Sequence, residues 1–193
     1  FMQGLITEGP SFQLKCNGMW AFCLWDSRLN KAILGRDRFG VKPLYYSIFN
    51  DNSLIFASEM KGITPFLSEI SPSDDISEHF KNVFDYEFTN ACVIKGIKRL
   101  LPGHYAIYQN KTFKEHQYWN TLDNLDLNTN TYQSQVDEWR ELFLDSVKLR
   151  MRSDVKIGST LSGGLDSSSV VAAMKYLDKE SISIQKNCSE TFC

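Results

Sequence analysis

The chain has 193 residues, of which 42% are hydrophobic and 13% aromatic, so it can bury a sizeable core and is not disordered over most of its length. Its 21 Lys and Arg residues nearly balance its 23 Asp and Glu residues, giving a formal net charge of -2. This balance argues against a nucleic-acid partner bound through bulk charge. The longest apolar run, residues 19–25, is too short to cross a bilayer, so we expect no membrane partner and a cytoplasmic location.

The cysteines are scattered, and none forms a pair with metal-ligand spacing, so we interpret them as reduced and mostly buried thiols. They are Cys16, Cys23, Cys92, Cys188 and Cys193. Residues 1–7 read like the end of a helix that Gly9 and Pro10 stop, and a new apolar segment starts at residues 191–193. We therefore expect the chain to begin and end within a longer protein.

Short apolar runs separated by Asn and Asp turns predict antiparallel strands in a meander over the first third of the chain. The runs are residues 19–25, 32–35, 44–49 and 54–57. The first run does not alternate with polar residues, which predicts burial on both faces, as in a sheet between other layers.

The pattern then changes to two predicted helices, residues 59–67 and 75–84. Strands return at residues 104–109 and 112–119, which flank Asn110-Lys111 and predict a tight hairpin. Arg36, Asp37 and Arg38 are interpreted as a structural ion-pair cluster beside a strand end.

Residues 120–131 are rich in Asn, Thr and Asp and contain no Lys or Arg, which favours a linker between two domains. The predicted domains are residues 1–119 and 132–193. The second begins with a predicted amphipathic helix, residues 132–151, whose inward face repeats at helical spacing. That face consists of Val136, Trp139, Phe143 and Val147.

Residues 155–178 carry the strongest chemical signal: a predicted buried strand at 155–161, a loop at 162–168 and a helix at 169–178. Gly163 and Gly164 let the backbone turn and let an anion approach closely, while serine hydroxyls and helix-start N–H groups face that anion. The alternative is a flexible turn followed by an ordinary helix cap at Asp166. The complete string SGGLDSS between strand and helix favours a phosphate site, although it lacks the Walker lysine and the spacing of the dinucleotide fingerprint.

The string SGGLDSS resembles the PP-loop of ATP pyrophosphatases, enzymes that split ATP into AMP and pyrophosphate. GMWAF at 18–22, GRDRFGVKPLYY at 35–46 and ASEMK at 57–61 resemble the second half of a class II glutamine amidotransferase domain. LPGHY at 101–105 resembles the end of that domain, and residues 146–168 resemble the opening of a synthetase domain. Together these motifs make the chain similar to glutamine-hydrolysing asparagine synthetases.

The resemblance implies an α+β domain followed by an α/β domain. The first is the second half of an αββα N-terminal-nucleophile glutaminase sandwich, with two antiparallel sheets between helices. The second is the start of a doubly wound PP-loop domain, of the adenine nucleotide alpha hydrolase-like kind.

The family's glutaminase nucleophile is a cysteine at the mature N-terminus, which is expected to lie upstream of Phe1. No catalytic residue is therefore assigned in this sequence, and Cys16 and Cys23 are interpreted as packing residues.

For the synthetase half, the resemblance implies ATP and magnesium as cofactors. It assigns the adenosine side of ATP to Leu161 and a magnesium ion to Asp166, for which a helix-cap role is the compatible alternative. It assigns the pyrophosphate to Ser162, Gly163, Gly164, Ser167 and Ser168.

The implied reaction is amidation of aspartate through a beta-aspartyl-AMP intermediate, with ammonia taken from glutamine. Glutamine, aspartate and ATP are then the substrates, and a homodimer is compatible with the family. Two alternatives stay open: a related amidotransferase or lactam-forming ligase acting on another carboxylate, and a non-catalytic remnant that binds nucleotide at most.

Overall fold

The computed structural model describes residues 1–81, 86, 89–125, 130–180 and 190–192. The chain divides into two compact units, Phe1–Leu125 and Asp126–Cys193. The division falls inside the predicted linker, and the domain bounds 1–119 and 132–193 remain predictions. At the start of that linker, the Asn120 side chain accepts the N–H of Leu122 and caps a short 3-10 helix, Thr121–Asn124.

The described part of the first unit contains two antiparallel sheets. Their strands are β1 (Ala21–Asp26), β2 (Lys31–Arg36), β3 (Tyr45–Ile48), β4 (Leu54–Ala57), β5 (Lys98–Arg99), β6 (His104–Gln109) and β7 (Thr112–Gln117). The first sheet has the order β1-β2-β6-β7 and the second the order β4-β3-β5. The two sheets pack on each other through a shared core, where Leu34 and Ala106 of the first sheet meet Leu44 and Leu54.

Further layers cover the outer faces of both sheets. The N-terminal segment, helix α1 (Met2–Glu8) and the 3-10 helix Gly9–Lys15, packs on the first sheet, where the Phe1 ring centroid lies 5.2 Å from that of Phe22. A second core of Ile63, Cys92 and Ile97 lies against the other face of the second sheet. Each sheet therefore has packing on both of its faces among the described residues.

Two expectations about these strands are wrong. The run at residues 19–25 is not the strand buried on both faces, because residues 21–24 are only half-buried and the flanking Met19 and Trp25 are 49% and 53% exposed. That position belongs to β2, which pairs with β1 and β6 and buries most of its residues. The strands also do not form one meander, since β3 and β4 lie in a different sheet from β1 and β2.

The middle of the chain differs from the prediction at one helix and agrees at the hairpin. Residues 59–67 form two 3-10 helices, Met60–Gly62 and Thr64–Phe66, because Pro65 lacks an N–H and disfavours a helical residue before it. Helix α2 spans Ile76–Lys81, and residues 82–85 of that region lie outside the described residues. The β6–β7 hairpin is confirmed, with Asn110 and Lys111 at φ 51° and 59°.

The second unit contains α3 (Tyr132–Arg150), β8 (Gly158–Thr160), α4 (Leu165–Glu180) and β9 (Glu190–Phe192). The prediction of α3 is confirmed, and the Thr131 side chain caps it by accepting the N–H of Ser134. Val147 packs with Ala173 and Met174 of α4. Trp139 was predicted to face inward, but it is 62% exposed in this unit and stacks on Phe143 at 5.1 Å.

The β8 and β9 strands pair in parallel, so α4 connects parallel strands in the second unit while both sheets of the first are antiparallel. The chain is therefore a mixed helix and sheet protein. Across the described residues, no helix combines the length and apolarity needed to cross a membrane.

Candidate functional site

The glycine loop lies between β8 and α4. The predicted buried strand at 155–161 is wrong in length and burial, since β8 has three residues and both its ends are exposed. The strand ends at Thr160 and the helix begins at Leu165, so residues 161–164 form the turn. The loop is shorter than the predicted 162–168, and Asp166, Ser167 and Ser168 lie in the first helical turn. An acidic residue is favourable there because the helix start carries partial positive charge, and this allows α4 to begin four residues earlier than predicted.

The two glycines differ in what the backbone requires of them. Gly163 has φ +79°, a left-handed conformation that side chains disfavour, yet a Cβ atom at this position would meet nothing within 4 Å. A Cβ on Gly164 would lie 3.5 Å from Ser162 Oγ, which is an ordinary contact. The backbone therefore needs glycine at 163 for its dihedral angle, and the space around that residue is open to a ligand.

A ring of hydrogen bonds joins the two ends of the loop. Ser167 Oγ donates to the Gly164 carbonyl at 3.2 Å, so its oxygen accepts from Ser162 Oγ at 3.0 Å. Ser162 Oγ in turn lies 3.5 Å from the Gly164 N–H, which donates to it. Both serines were predicted as phosphate contacts, but their hydrogen bond to each other was not predicted, because a spacing of five residues does not place two side chains together in a regular helix or strand.

Backbone donors converge at the same place. The Ser168 N–H donates to the Gly164 carbonyl at 3.1 Å and opens the helical hydrogen-bond series. The N–H groups of Leu165, Asp166 and Ser167 precede it and have no carbonyl one turn earlier in the helix to bind. Together with the dipole of the 16-residue α4, they provide a favourable environment for an anion.

The predicted ATP residues are thus together, with one difference in exposure. Ser162, Gly163, Gly164, Asp166 and Ser168 are exposed, whereas Leu161 and Ser167 are half-buried. Leu165, to which no role was assigned, is 83% exposed at the start of α4.

The magnesium prediction depends on a single carboxylate. Among the described residues, no group of three or more His, Cys, Asp or Glu side chains could hold a metal ion. Magnesium commonly binds through one or two carboxylates together with substrate phosphates and water. Asp166 therefore fits an ion that arrives with a polyphosphate, and it does not fit a metal cage made of protein alone.

A buried polar cluster orders the loop at residues 36–42 of the first unit. The Asp37 carboxylate is 1% exposed and accepts N–H groups at 3.0–3.3 Å, namely those of Trp20, Phe39, Val41 and Lys42. Arg36 donates to the carbonyls of Gly40, Lys42 and Leu100 at 2.6–2.8 Å. These contacts give Arg36 and Asp37 the structural role that was predicted, but the contacts that carry it are with backbone groups and are not the predicted ion pairs.

The cysteines expected to pack behave as neutral thiols. Cys23 is half-buried against the core between the sheets, and burial raises the pKa of its thiol. Burial is also the largest influence on Cys16 and raises its pKa. Neither environment activates a nucleophile.

Comparison with known families gives two matches in chain order. Residues 1–119 match the family model described as glutamine amidotransferase domain, and residues 138–186 match asparagine synthase. The second match includes the whole glycine loop.

Individual relatives align across both regions. The chain is 34% identical to asparagine synthetase [glutamine-hydrolyzing] 3 of Bacillus subtilis, over 85% of this chain and 26% of that protein. It is 32% identical to asparagine synthetase B [glutamine-hydrolyzing] of Escherichia coli, over 87% of this chain and 25% of the relative. It is also 32% identical to amidase chry2 of Gibberella zeae, over 89% of this chain and 25% of the relative.

The chain spans about a quarter to a third of the length of the curated relatives it matches. The first match alone covers more than half of the chain. The resemblance stated from the motifs is confirmed at the level of family: the chain belongs to the glutamine amidotransferase domain family and carries an asparagine synthase match after that domain, as glutamine-hydrolysing asparagine synthetases do.

Proposed function

We propose that this chain is part of an ATP-dependent carbon-nitrogen ligase that uses glutamine as its amide donor. The proposed reaction is that of asparagine synthetase: amidation of aspartate through beta-aspartyl-AMP, using ammonia released from glutamine. One observation carries the proposal. A glycine loop between a strand and a helix, with convergent hydroxyl and N–H donors, follows an amidotransferase match in the same chain.

The proposed domains are residues 1–119, the C-terminal half of the amidotransferase domain, and 132–193, the start of the synthetase domain, joined by 120–131. The first is proposed to complete an αββα sandwich, supported by two facing antiparallel sheets with outer layers. The second is proposed to be doubly wound around a parallel sheet, supported by the parallel pairing of β8 and β9.

The loop residues have distinct proposed roles in binding ATP. Ser162, Ser167 and Ser168 donate hydroxyl hydrogen bonds to the pyrophosphate, whose approach the missing side chains of Gly163 and Gly164 permit. Leu161 contacts the adenosine side. The ring of hydrogen bonds holds the Ser162 and Ser167 oxygens together before ATP arrives, and each hydroxyl proton turns from its partner in the ring to the phosphate when ATP binds.

Asp166 is the proposed magnesium ligand. The ion would neutralise phosphate charge and so favour loss of pyrophosphate. Asp166 would hold it from the first turn of α4, where the carboxylate is exposed and can reach a ligand above the loop.

Glutamine, aspartate and ATP are the proposed substrates of the complete protein. The glutaminase nucleophile is proposed to lie outside this sequence, so none of its cysteines is catalytic. The cytoplasmic location and the homodimer remain predictions.

The test is aspartate-dependent pyrophosphate release by the complete protein, compared between Ser162→Ala and Ser169→Ala. Loss of a hydroxyl bound to a charged phosphate costs about 1.5–3 kcal/mol, or about 10- to 100-fold in rate. Ser169 is the matched control because its hydroxyl donates to the Leu165 carbonyl inside the helix, at 2.8 Å. Equal activity in the two variants would contradict the proposed loop site.

The relative named amidase favours a second candidate, an amidotransferase or lactam-forming ligase that activates another carboxylate. Its loop would bind ATP in the same way, so loop variants cannot distinguish it. The dependence of pyrophosphate release on aspartate distinguishes the two candidates. Pyrophosphate release that is unchanged by aspartate but increases with another carboxylic acid would favour the second candidate. A protein that binds ATP but releases no pyrophosphate with any acid would be the non-catalytic remnant.

A further inference from the structure

A cleft of about 500 Å³ opens between the edges of the two sheets of the first unit. Its walls include Tyr46 of β3, Lys98 of β5, and Phe113 and Glu115 of β7. None of these residues has a role in the function proposed above. A cleft of this volume is large enough for a small molecule.

Strand register places the four side chains together. Tyr46 and Lys98 are direct partners in the β3–β5 pair, so their side chains are neighbours on one face of the second sheet. Phe113 and Glu115 are two residues apart on β7 and share the face that looks toward Tyr46. The ring centroids of Tyr46 and Phe113 lie 4.6 Å apart, and the Tyr46 hydroxyl donates to Glu115 Oε1.

Tyr46 forms the buried floor of the cleft, and the charged groups of Glu115 and Lys98 are available to a ligand. Tyr46 is only 4% exposed, and burial, together with the Glu115 carboxylate, raises the pKa of its hydroxyl, which therefore stays a proton donor. The Tyr46 hydroxyl donates its hydrogen bond to one of the two carboxylate oxygens of Glu115. In the described part of the chain, neither the second oxygen nor the Lys98 ammonium has an ion-pair partner.

Two opposite charges and a buried tyrosine therefore line one cleft, and the charges do not pair with each other. A ligand that carries both charges a short distance apart can bind both groups at once. The rest of the wall is partly apolar, with Phe113 half-buried and Ile48 42% exposed. Such a wall suits an aliphatic side chain and is poorly suited to a second charge.

We propose that this cleft binds a free α-amino acid with an apolar side chain. The ligand ammonium binds Glu115, its carboxylate binds Lys98, and its side chain packs on Phe113 and Ile48. Charge-assisted hydrogen bonds at both ends would give selectivity for zwitterions over molecules with one charge. The proposal does not depend on the ligase assignment, since it uses neither the glycine loop nor any assigned substrate contact.

The first experiment titrates the 193-residue chain with three probes and follows backbone amide NMR signals. L-leucine has both charges, L-leucinamide lacks the carboxylate, and 4-methylpentanoate lacks the ammonium. We expect saturable shifts with L-leucine at residues 46–48, 96–98 and 113–115. Each truncated probe should bind at least about 10-fold more weakly, because one charged hydrogen bond is lost.

The second experiment repeats the L-leucine titration with Lys98→Gln, Glu115→Gln and the control Lys114→Gln. Glutamine at 115 can still accept from Tyr46, so this variant removes the charge and keeps the hydrogen bond that joins the sheets. Lys114 is exposed on the opposite face of β7 and matches Lys98 in charge. The first two variants should lose about 10-fold or more in affinity and the control should not.

Three results would overturn the proposal: no saturable shift at these residues with L-leucine, binding of either truncated probe as tight as that of L-leucine, or equal loss in Lys98→Gln and Lys114→Gln. If a variant does not fold, the three probes still test the proposal on the unaltered chain, because each truncated probe removes one charge from the ligand and leaves the protein unchanged.

Discussion

Replacing Asp37 by Asn should destabilise the first unit far more than a change of one atom suggests. Asp37 Oδ1 accepts the N–H groups of Phe39 and Val41, at 3.1 and 3.0 Å. Oδ2 accepts those of Lys42 and Trp20, at 3.0 and 3.3 Å. An asparagine keeps one oxygen and turns an NH₂ group toward the other two donors, so two backbone N–H groups lose their acceptor inside the protein.

The cost follows from burial. The Asp37 side chain is 1% exposed, so water cannot replace the lost acceptor. Each unsatisfied donor costs about 1–3 kcal/mol, which gives about 2–6 kcal/mol in the free energy of unfolding. Because small domains are stable by only about 5–15 kcal/mol, this change alone removes a large share of the stability of the unit.

The assay is urea denaturation followed by tryptophan fluorescence, with Asp26→Asn as the matched control. Asp26 Oδ1 alone accepts the N–H groups of Arg28 and Leu29, at 3.0 and 3.2 Å, and an asparagine oxygen can do the same. The control should therefore change stability by less than about 1 kcal/mol. A free energy of unfolding for Asp37→Asn that matches the control would mean that the four N–H groups do not need the buried carboxylate.

Three further outcomes are expected. Gly163→Ala should lower the ATP affinity of the complete protein about 5- to 30-fold, because a side chain in left-handed backbone costs about 1–2 kcal/mol. Gly163→Asn should lose less affinity, because Asn tolerates this conformation. Equal ATP affinities of the original protein and both variants would contradict this expectation. Asp166→Asn should slow pyrophosphate release about 100- to 1,000-fold, while glutamate release and the melting temperature stay near their original values. Near-normal pyrophosphate release would exclude the metal role of Asp166. A large fall in melting temperature would indicate a structural role instead. In Tyr46→Phe, the free energy of unfolding should fall less steeply above pH ~10 than in the original protein, because the Tyr46 hydroxyl ionises there in the unfolded chain and resists ionisation in the folded one. Parallel curves of unfolding free energy against pH for the two proteins would argue against the buried phenol.

Local features were predicted well from the sequence because local chemistry determines them. The Asn110-Lys111 turn, the start of α3 at Tyr132 and the strand, glycine loop and helix around Gly163 all depend on neighbouring residues. The short loop was predicted too long, because Asp166 and the serines after it are as acceptable in a first helical turn as in a loop.

Pairing between distant strands could not be predicted in the same way. The edge position of β1 depends on β2 pairing with β6, which joins Lys31 to Gln109 across most of the unit. The unpaired charges of Lys98 and Glu115 likewise depend on two strands from different sheets that meet at Tyr46. No periodicity in the sequence records such contacts, so the cleft between the sheets was found only from the structure.

The proposed ligase chemistry can be tested directly by following one oxygen atom. The complete protein is incubated with ATP, glutamine and aspartate labelled with heavy oxygen in its side-chain carboxylate, and the AMP product is analysed by mass spectrometry. If aspartate is activated as beta-aspartyl-AMP, one labelled oxygen leaves with AMP when ammonia attacks the acyl carbon. We expect one label in each AMP formed together with asparagine, and unlabelled AMP accompanying asparagine formation would exclude the beta-aspartyl-AMP intermediate.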